Sequence, residues 1–270
     1  MKVGIVQIDS TFGQVVRNVE KALRMISKKK ADLWVLPELF NTGYQFISQE
    51  EARFLAEHIP SGPTAQRLIA AAKQLKTCIV AGIAERAGSR IYNASVLVGP
   101  KGFMGLYRKI HLFYEEKRWF TPGNRPFGVF SVPYASPRGG RLRAKIGMMI
   151  CFDWIFPESA RTLAGLGADI VCHPSNLVLS HCPDAMVTRC LENRVFAITA
   201  NRIGSETRGE ETLRYIGRSQ VVDPRGRILF RASDKREAAR VVEIDPKEAR
   251  KKRLNPYNHL LEDRRKRFYR

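Results

Sequence analysis

Short β-type apolar runs that alternate with helix-period segments, and two turn quartets that each join strand-like runs, predict an α/β fold with a mixed sheet, or two sheets, covered by helices. No Pro/Ser/Gly-rich linker divides the 270 residues, and the chain is long enough to bury a substantial core. The two quartets fall in opposite halves, a hint of two similar halves, although no fixed-period repeat is present.

The elements follow in order. Residues 3–8 form the first apolar run, and 18–29 place Val19, Leu23 and Ile26 on one helical face. A buried strand is expected at 33–36, then a helix at 64–75 with Leu68, Ile69 and Ala72 together, then a strand at 78–84. The run at 94–98 meets Gly99-Pro100-Lys101-Gly102, whose composition suits a hairpin turn. Further strands are expected at 144–150, 169–173, 197–200, 217–222 and 240–244, with Asp223-Pro224-Arg225-Gly226 as the second hairpin turn. A helix is expected to begin after Pro246 and to be broken by Asn255-Pro256-Tyr257-Asn258. This divides the chain into one domain at 1–246 and a basic extension at 247–270.

Five cysteines, at 78, 151, 172, 182 and 190, are an odd number without a CxxC pair, which argues against a disulfide framework or a zinc ribbon. The N-terminal segment lacks the apolar core of a signal peptide, and no apolar run approaches membrane-spanning length. A cytoplasmic protein with reduced thiols and no membrane partner is expected. The formal charge is +20, of which residues 247–270 supply +7 through ten basic and three acidic side chains. Such a balance suits a nucleic-acid or anionic-surface binding module. No zinc-finger, RNP or helix-turn-helix pattern gives the charge a reader, so a solvated or subunit-contacting surface is preferred.

The run at 146–150 delivers Cys151 to the start of a helix. A thiol there is a candidate nucleophile, since its free pKa of about 8.5 falls near a helix N-terminus or a cation; it also suits a buried core position. A nucleophile needs a base and a stabiliser for the oxyanion it creates. Glu38, at the end of the 33–36 strand, is a candidate base, or a helix-start carboxylate. Lys109 is a candidate cation, with Arg108 the alternative because adjacent strand residues face opposite ways. His173 offers a competing dyad with Cys151. The Cys172-His173 and His181-Cys182 pairs carry zinc-ligand chemistry, and no metal site is expected from them.

Pro37-Glu38-Leu39-Phe40 with Thr42-Gly43-Tyr44, then Tyr107-Arg108-Lys109-Ile110-His111-Leu112, then Ile150-Cys151-Phe152-Asp153 with Phe156-Pro157-Glu158 resemble the three signature segments of the nitrilase superfamily of carbon–nitrogen hydrolases. Order and spacing agree over nearly the whole chain. The resemblance implies a four-layer αββα sandwich of two mixed β-sheets with helices outside, and a Glu38-Lys109-Cys151 triad. It implies a second glutamate at Glu116, holding Lys109, with Glu115 or a surface salt bridge to Lys117 or Arg118 as the alternatives. The resemblance implies Asn176 as a substrate contact and the Phe152 N–H as an oxyanion donor, and Tyr44 and Trp154 are candidate pocket residues, with core packing as the alternative.

Cys151-Phe152-Asp153 is similar to the amidase and carbamoylase branches, whereas nitrilases tend to carry Cys-Trp-Glu. A metal-free, cofactor-free thiol hydrolase of small aliphatic amides is therefore expected, with a nitrilase or an N-carbamoyl amine hydrolase as alternatives. The resemblance further implies a homodimer at least. The extension supplies Tyr257, Leu260, Leu261, Phe268 and Tyr269 for packing between subunits.

Overall fold

The structure is a computed structural model that describes residues 1–136 and 139–269. Strand β1 (Lys2–Gln7) leads to helix α1 (Val15–Ser27), β2 (Leu33–Val35), helices α2 (Gln49–Leu55) and α3 (Pro63–Leu75), and strands β3 (Cys78–Ala87), β4 (Arg90–Gly99) and β5 (Gly102–Arg108). Helix α4 (Glu116–Trp119) precedes β6 (Val129–Ala135) and β7 (Arg141–Met148). A 3-10 turn (Cys151–Ile155), α5 (Pro157–Gly165), β8 (Ile170–Pro174), α6 (Cys182–Asn193) and β9 (Phe196–Ala200) follow. The hairpin β10 (Ser205–Arg208) and β11 (Glu211–Arg214) and strands β12 (Gln220–Val222), β13 (Ile228–Arg231) and β14 (Ala238–Glu243) complete the described strands.

Among the described residues there are two six-stranded sheets, in the orders β14-β1-β2-β3-β4-β5 and β13-β12-β9-β8-β7-β6. Both are mixed: β1, β2 and β3 run parallel, as do β7, β8 and β9, and antiparallel strands flank each trio. Each half thus repeats one plan, as the turn quartets hinted.

Period-two alternation assigns the layers. In β2 and the residue after it, Leu33 and Val35 enter the core between the sheets, with Cys78 and Val80 of β3 and Ile146 and Met148 of β7. Trp34 and Leu36 point the other way, toward Val19, Ala22 and Ile26 of α1 and Leu68 and Ala72 of α3. Helices α5 and α6 contribute Leu163, Ala164, Met186 and Cys190 to the core of the second sheet. The architecture is the αββα sandwich.

Two expected elements are shorter. The strand expected at 217–222 starts only at Gln220, because Gly217 and Arg218 adopt φ of 60° and 55°, outside the extended region. The helix expected after Pro246 is a single 3-10 turn (Pro246–Arg250) that ends before Asn255. Lateral anchors win there: Arg250 grips the Asp169 carboxylate with two bonds of 2.9 Å, and Lys252 Nζ donates to the Asn193 and Arg194 carbonyls at the end of α6, each at 2.8 Å.

Candidate active site

Glu38, Lys109 and Cys151 converge because each follows the end of a strand. Glu38 lies just past β2, Lys109 just past β5, and Cys151 just past β7, so the first two come from one sheet and the third from the other. All three are buried.

Glycines let the backbone close in. A Cβ on Gly82 of β3 would lie 2.4 Å from Glu38 Cα, and one on Gly123 would lie 2.2 Å from the Arg108 carbonyl oxygen. The Gly123 N–H donates to the Lys109 carbonyl at 2.8 Å, which explains the Pro-Gly end of that segment. Leu39 and Cys151 hold φ of 45° and 40°. Such left-handed non-glycine residues cost about 1–3 kcal/mol each and persist only where their surroundings impose them.

Lys109 Nζ is the hub. It donates to Glu38 Oε1 at 2.7 Å and to Glu116 Oε1 at 2.6 Å. Asn93 Nδ2 donates to the same Glu38 oxygen at 2.7 Å, leaving Glu38 Oε2 buried with no hydrogen-bond partner among the described residues. Burial alone would push Lys109 down, but the Glu116 and Glu38 carboxylates outweigh it and hold the ammonium above its ordinary value. Glu116 is also raised, up to about 7, because burial and the Glu38 charge exceed the attraction of Lys109. One buried ammonium serves two carboxylates.

The alternatives left open by sequence are resolved in position. Arg108 is also buried but turns to Glu85, with bonds of 2.7 and 2.6 Å, and stacks 4.0 Å over the Tyr92 ring. Glu115 is the surface partner of Arg118 at 2.6 Å, whereas Glu116 faces Lys109. His173 does not pair with the thiol: its Nε2 bonds the Cys151 carbonyl at 2.9 Å, and burial pushes it down to about 4. Among the described residues no group of three His, Cys, Asp or Glu side chains is placed to hold a metal.

The expectation of a lowered thiol pKa is corrected. Burial pushes Cys151 well above its ordinary value, Glu38 and Glu116 add to the rise, and Lys109 and the Asn176 N–H offset only part of it. The fold therefore favours the neutral S–H form of Cys151.

Phe152, Trp154 and Asn176 line the cleft over Cys151 with Phe113 and residues 177–179, and its free volume is ≈ 10 Å³. That is room for about one water. Asn176 Nδ2 also donates to the Glu38 carbonyl at 2.8 Å. Tyr44 sits behind Glu116, donating its hydroxyl to Oε1 at 2.6 Å, and burial first of all keeps that phenol neutral. Its backbone N–H and that of Gln45 bond Glu206, which is held by Arg202 at 2.6 Å and by the Tyr215 hydroxyl at 3.0 Å.

Sequence reading missed Asn93, Glu206 and Arg202. An Asn inside the apolar 90–99 segment was the available signal for the first. For the buried pair there was only an i, i+4 spacing.

A sequence model described as carbon–nitrogen hydrolase matches residues 2–254. A Pyrococcus abyssi protein named nitrilase is 46% identical over 100% of this chain and 99% of its own length. A Pseudomonas (R)-stereoselective amidase is 36% identical, covering 98% of this chain and 92% of its own. The crystal structure of a carbon–nitrogen hydrolase from Helicobacter pylori G27 superposes with a TM-score of 0.85 at 26% identity, covering 100% of this chain and 97% of the other. The match over residues 2–254 and a relative 46% identical along its whole length show that this chain belongs to the carbon–nitrogen hydrolase family.

Proposed function

We propose that the protein hydrolyses the C–N bond of a small aliphatic amide, giving a carboxylic acid and ammonia through a thioester on Cys151. The observation that carries this reading is the division of labour on Glu38: Oε1 is saturated by Lys109 and Asn93, and Oε2 is buried and free to take a proton.

Glu38 Oε2 takes the thiol proton as the Cys151 sulfur attacks the amide carbon. The negative oxygen of the tetrahedral adduct is stabilised by Lys109 and by the Phe152 N–H, which lies in the first turn of the 3-10 helix, where backbone donors lack intrahelical acceptors. Glu38 returns the proton to the leaving nitrogen, the C–N bond breaks and ammonia departs. A water then gives its proton to Glu38 and attacks the thioester; collapse releases the acid, and the proton goes back to the sulfur. Glu116 and Tyr44 hold Lys109 in place, and the tight cleft favours a small acyl group.

The relative named nitrilase favours a second reading, a small aliphatic nitrile. Attack would then give a thioimidate, with Lys109 facing the developing charge on nitrogen and a first water needed before ammonia leaves. Ammonia release from a panel of aliphatic amides, nitriles and N-carbamoyl amines, with Cys151→Ala as control, separates the readings. No turnover of any carboxamide would remove the amide reading.

Residues 1–246 are read as the hydrolase domain and 247–270 as an extension that packs against a second copy. Tyr257 is 90% exposed, and Phe268 and Tyr269 are also open on this chain, which supports a covering partner. Sizing the full chain and one truncated after Pro256 tests this: an unchanged oligomer removes a necessary role for the tail. Five free, buried thiols suit a reducing, cytoplasmic setting.

A further inference from the structure

We propose that Asp153, held by Tyr107 and His111, is a positioning residue that registers the Lys109 ammonium against the Cys151 thiol. The proposal rests on the reading of Cys151 as nucleophile. Asp153 is wholly buried and accepts four hydrogen bonds on two oxygens. Oδ2 takes the Ile150 N–H at 2.8 Å and the Tyr107 hydroxyl at 2.7 Å; Oδ1 takes His111 Nδ1 at 2.7 Å and the His111 N–H at 3.3 Å.

These donors come from two places. Ile150 immediately precedes the strained Cys151, and the Asp153 N–H returns a bond of 3.0 Å to the Ile150 carbonyl, so Asp153 occupies both backbone groups of that residue. With His173 on the Cys151 carbonyl, the backbone is fixed on both sides of the nucleophile. Tyr107 and His111 flank Lys109 at two residues before and two after. A single carboxylate therefore ties the segment that delivers the ammonium from one sheet to the turn that delivers the thiol from the other.

Asp153 does this from behind. The cleft over Cys151 is lined by its neighbours Phe152 and Trp154, while His111 opens onto a separate groove with Phe152 and Phe156 and stacks on the Phe156 ring at 3.8 Å. Its effect on the reaction passes through Cys151 and Lys109 rather than through substrate.

The variants separate hydrogen bonding from packing. Asp153→Asn has one acceptor oxygen for four donors. His111→Phe keeps the stack but removes the side-chain donor; His111→Asn restores a donor near the Nδ1 position without the stack. On the folded protein, D153N is expected to lower kcat about 100-fold with KM within about threefold, since small misplacements of reacting groups cost that much. His111→Phe should lower kcat about tenfold by the same effect, and His111→Asn should recover most of it. Tyr107→Phe should act like His111→Phe and decides the matter if D153N does not fold.

Wild-type kcat in folded H111F and Y107F would overturn the proposal, as would a KM rise matching the kcat loss, or equal loss in H111N and H111F. Failure of the underlying reading looks different: Cys151→Ala would retain turnover.

Discussion

Lys109 Nζ donates to Glu38 Oε1 at 2.7 Å while the other oxygen of that carboxylate stays buried and unpartnered. An unsatisfied buried acceptor costs about 1–3 kcal/mol, and a site that must collect a proton is where such a cost is tolerated.

Glu38→Gln should therefore separate two properties. Its carbonyl oxygen can still receive Lys109 and Asn93, but its amide cannot take a proton, so kcat should fall by about 10²–10⁴, the range of general acid–base catalysis. The carboxylate charge is also a cause of the raised Cys151 pKa. Its removal should make alkylation of Cys151 by iodoacetamide at pH 8 faster while turnover collapses. Mass-spectrometric labelling rates of the Cys151 peptide check this; slower labelling in the variant would contradict it.

Glu116 predicts an acid limb. Lys109 and Tyr44 donate to Oε1 and the Phe113 N–H to Oε2, so protonation removes the charge that holds the ammonium. With Glu116 titrating at about 7, kcat/KM should fall as pH drops through that value, and Glu116→Gln should abolish that limb. The stability sign is opposite. A carboxyl raised in the fold favours its protonated form there, so its contribution to stability is lost as pH rises from the ordinary carboxylate range toward about 7. Urea titrations of wild type and E116Q across that window measure it.

Gly82→Ala should disturb the base without touching it chemically. The added Cβ would lie 2.4 Å from Glu38 Cα and 2.7 Å from the Leu39 nitrogen, both backbone, so the strand end must shift. Overpacking of this kind costs about 1–3 kcal/mol, and kcat should fall with it. Denaturant midpoints and kcat together check the outcome; an active variant of unchanged stability would show that the strand end yields freely.

Arg202→Met tests the support behind Tyr44. It strands Glu206, a buried carboxylate that bonds the Tyr44 and Gln45 backbone. Removing one partner of a buried ion pair costs about 3–5 kcal/mol, which urea unfolding would detect. A loss under 1 kcal/mol would mean that Tyr215 and the backbone donors suffice.

What sequence revealed followed from local pattern. The continuous apolar run at 33–36 placed β2, the two turn quartets placed the β4–β5 and β12–β13 hairpins, and three strand-end residues proved to be neighbours. Strand β6 was illegible because Pro133 lies inside it, tolerated on the sheet edge that β6 occupies. The β10–β11 hairpin is polar and shows little alternation. The sign of the Cys151 shift depended on depth of burial, which a neighbouring lysine in the sequence does not report. Sequence reads Asp153 only as part of Cys151-Phe152-Asp153; the four hydrogen bonds on its carboxylate join segments that sequence does not place together.

On the proposed mechanism the base and the ammonium hang from one sheet and the thiol from the other, so neither sheet carries the chemistry by itself. The burial that raises the Cys151 thiol is itself a product of packing between the two, since Cys151 shares one core with side chains of both sheets. On that mechanism reactivity requires face-to-face docking of the two sheets, which brings Glu38 to Cys151 across more than a hundred positions of sequence. A broken or half-assembled molecule is therefore silent rather than indiscriminate.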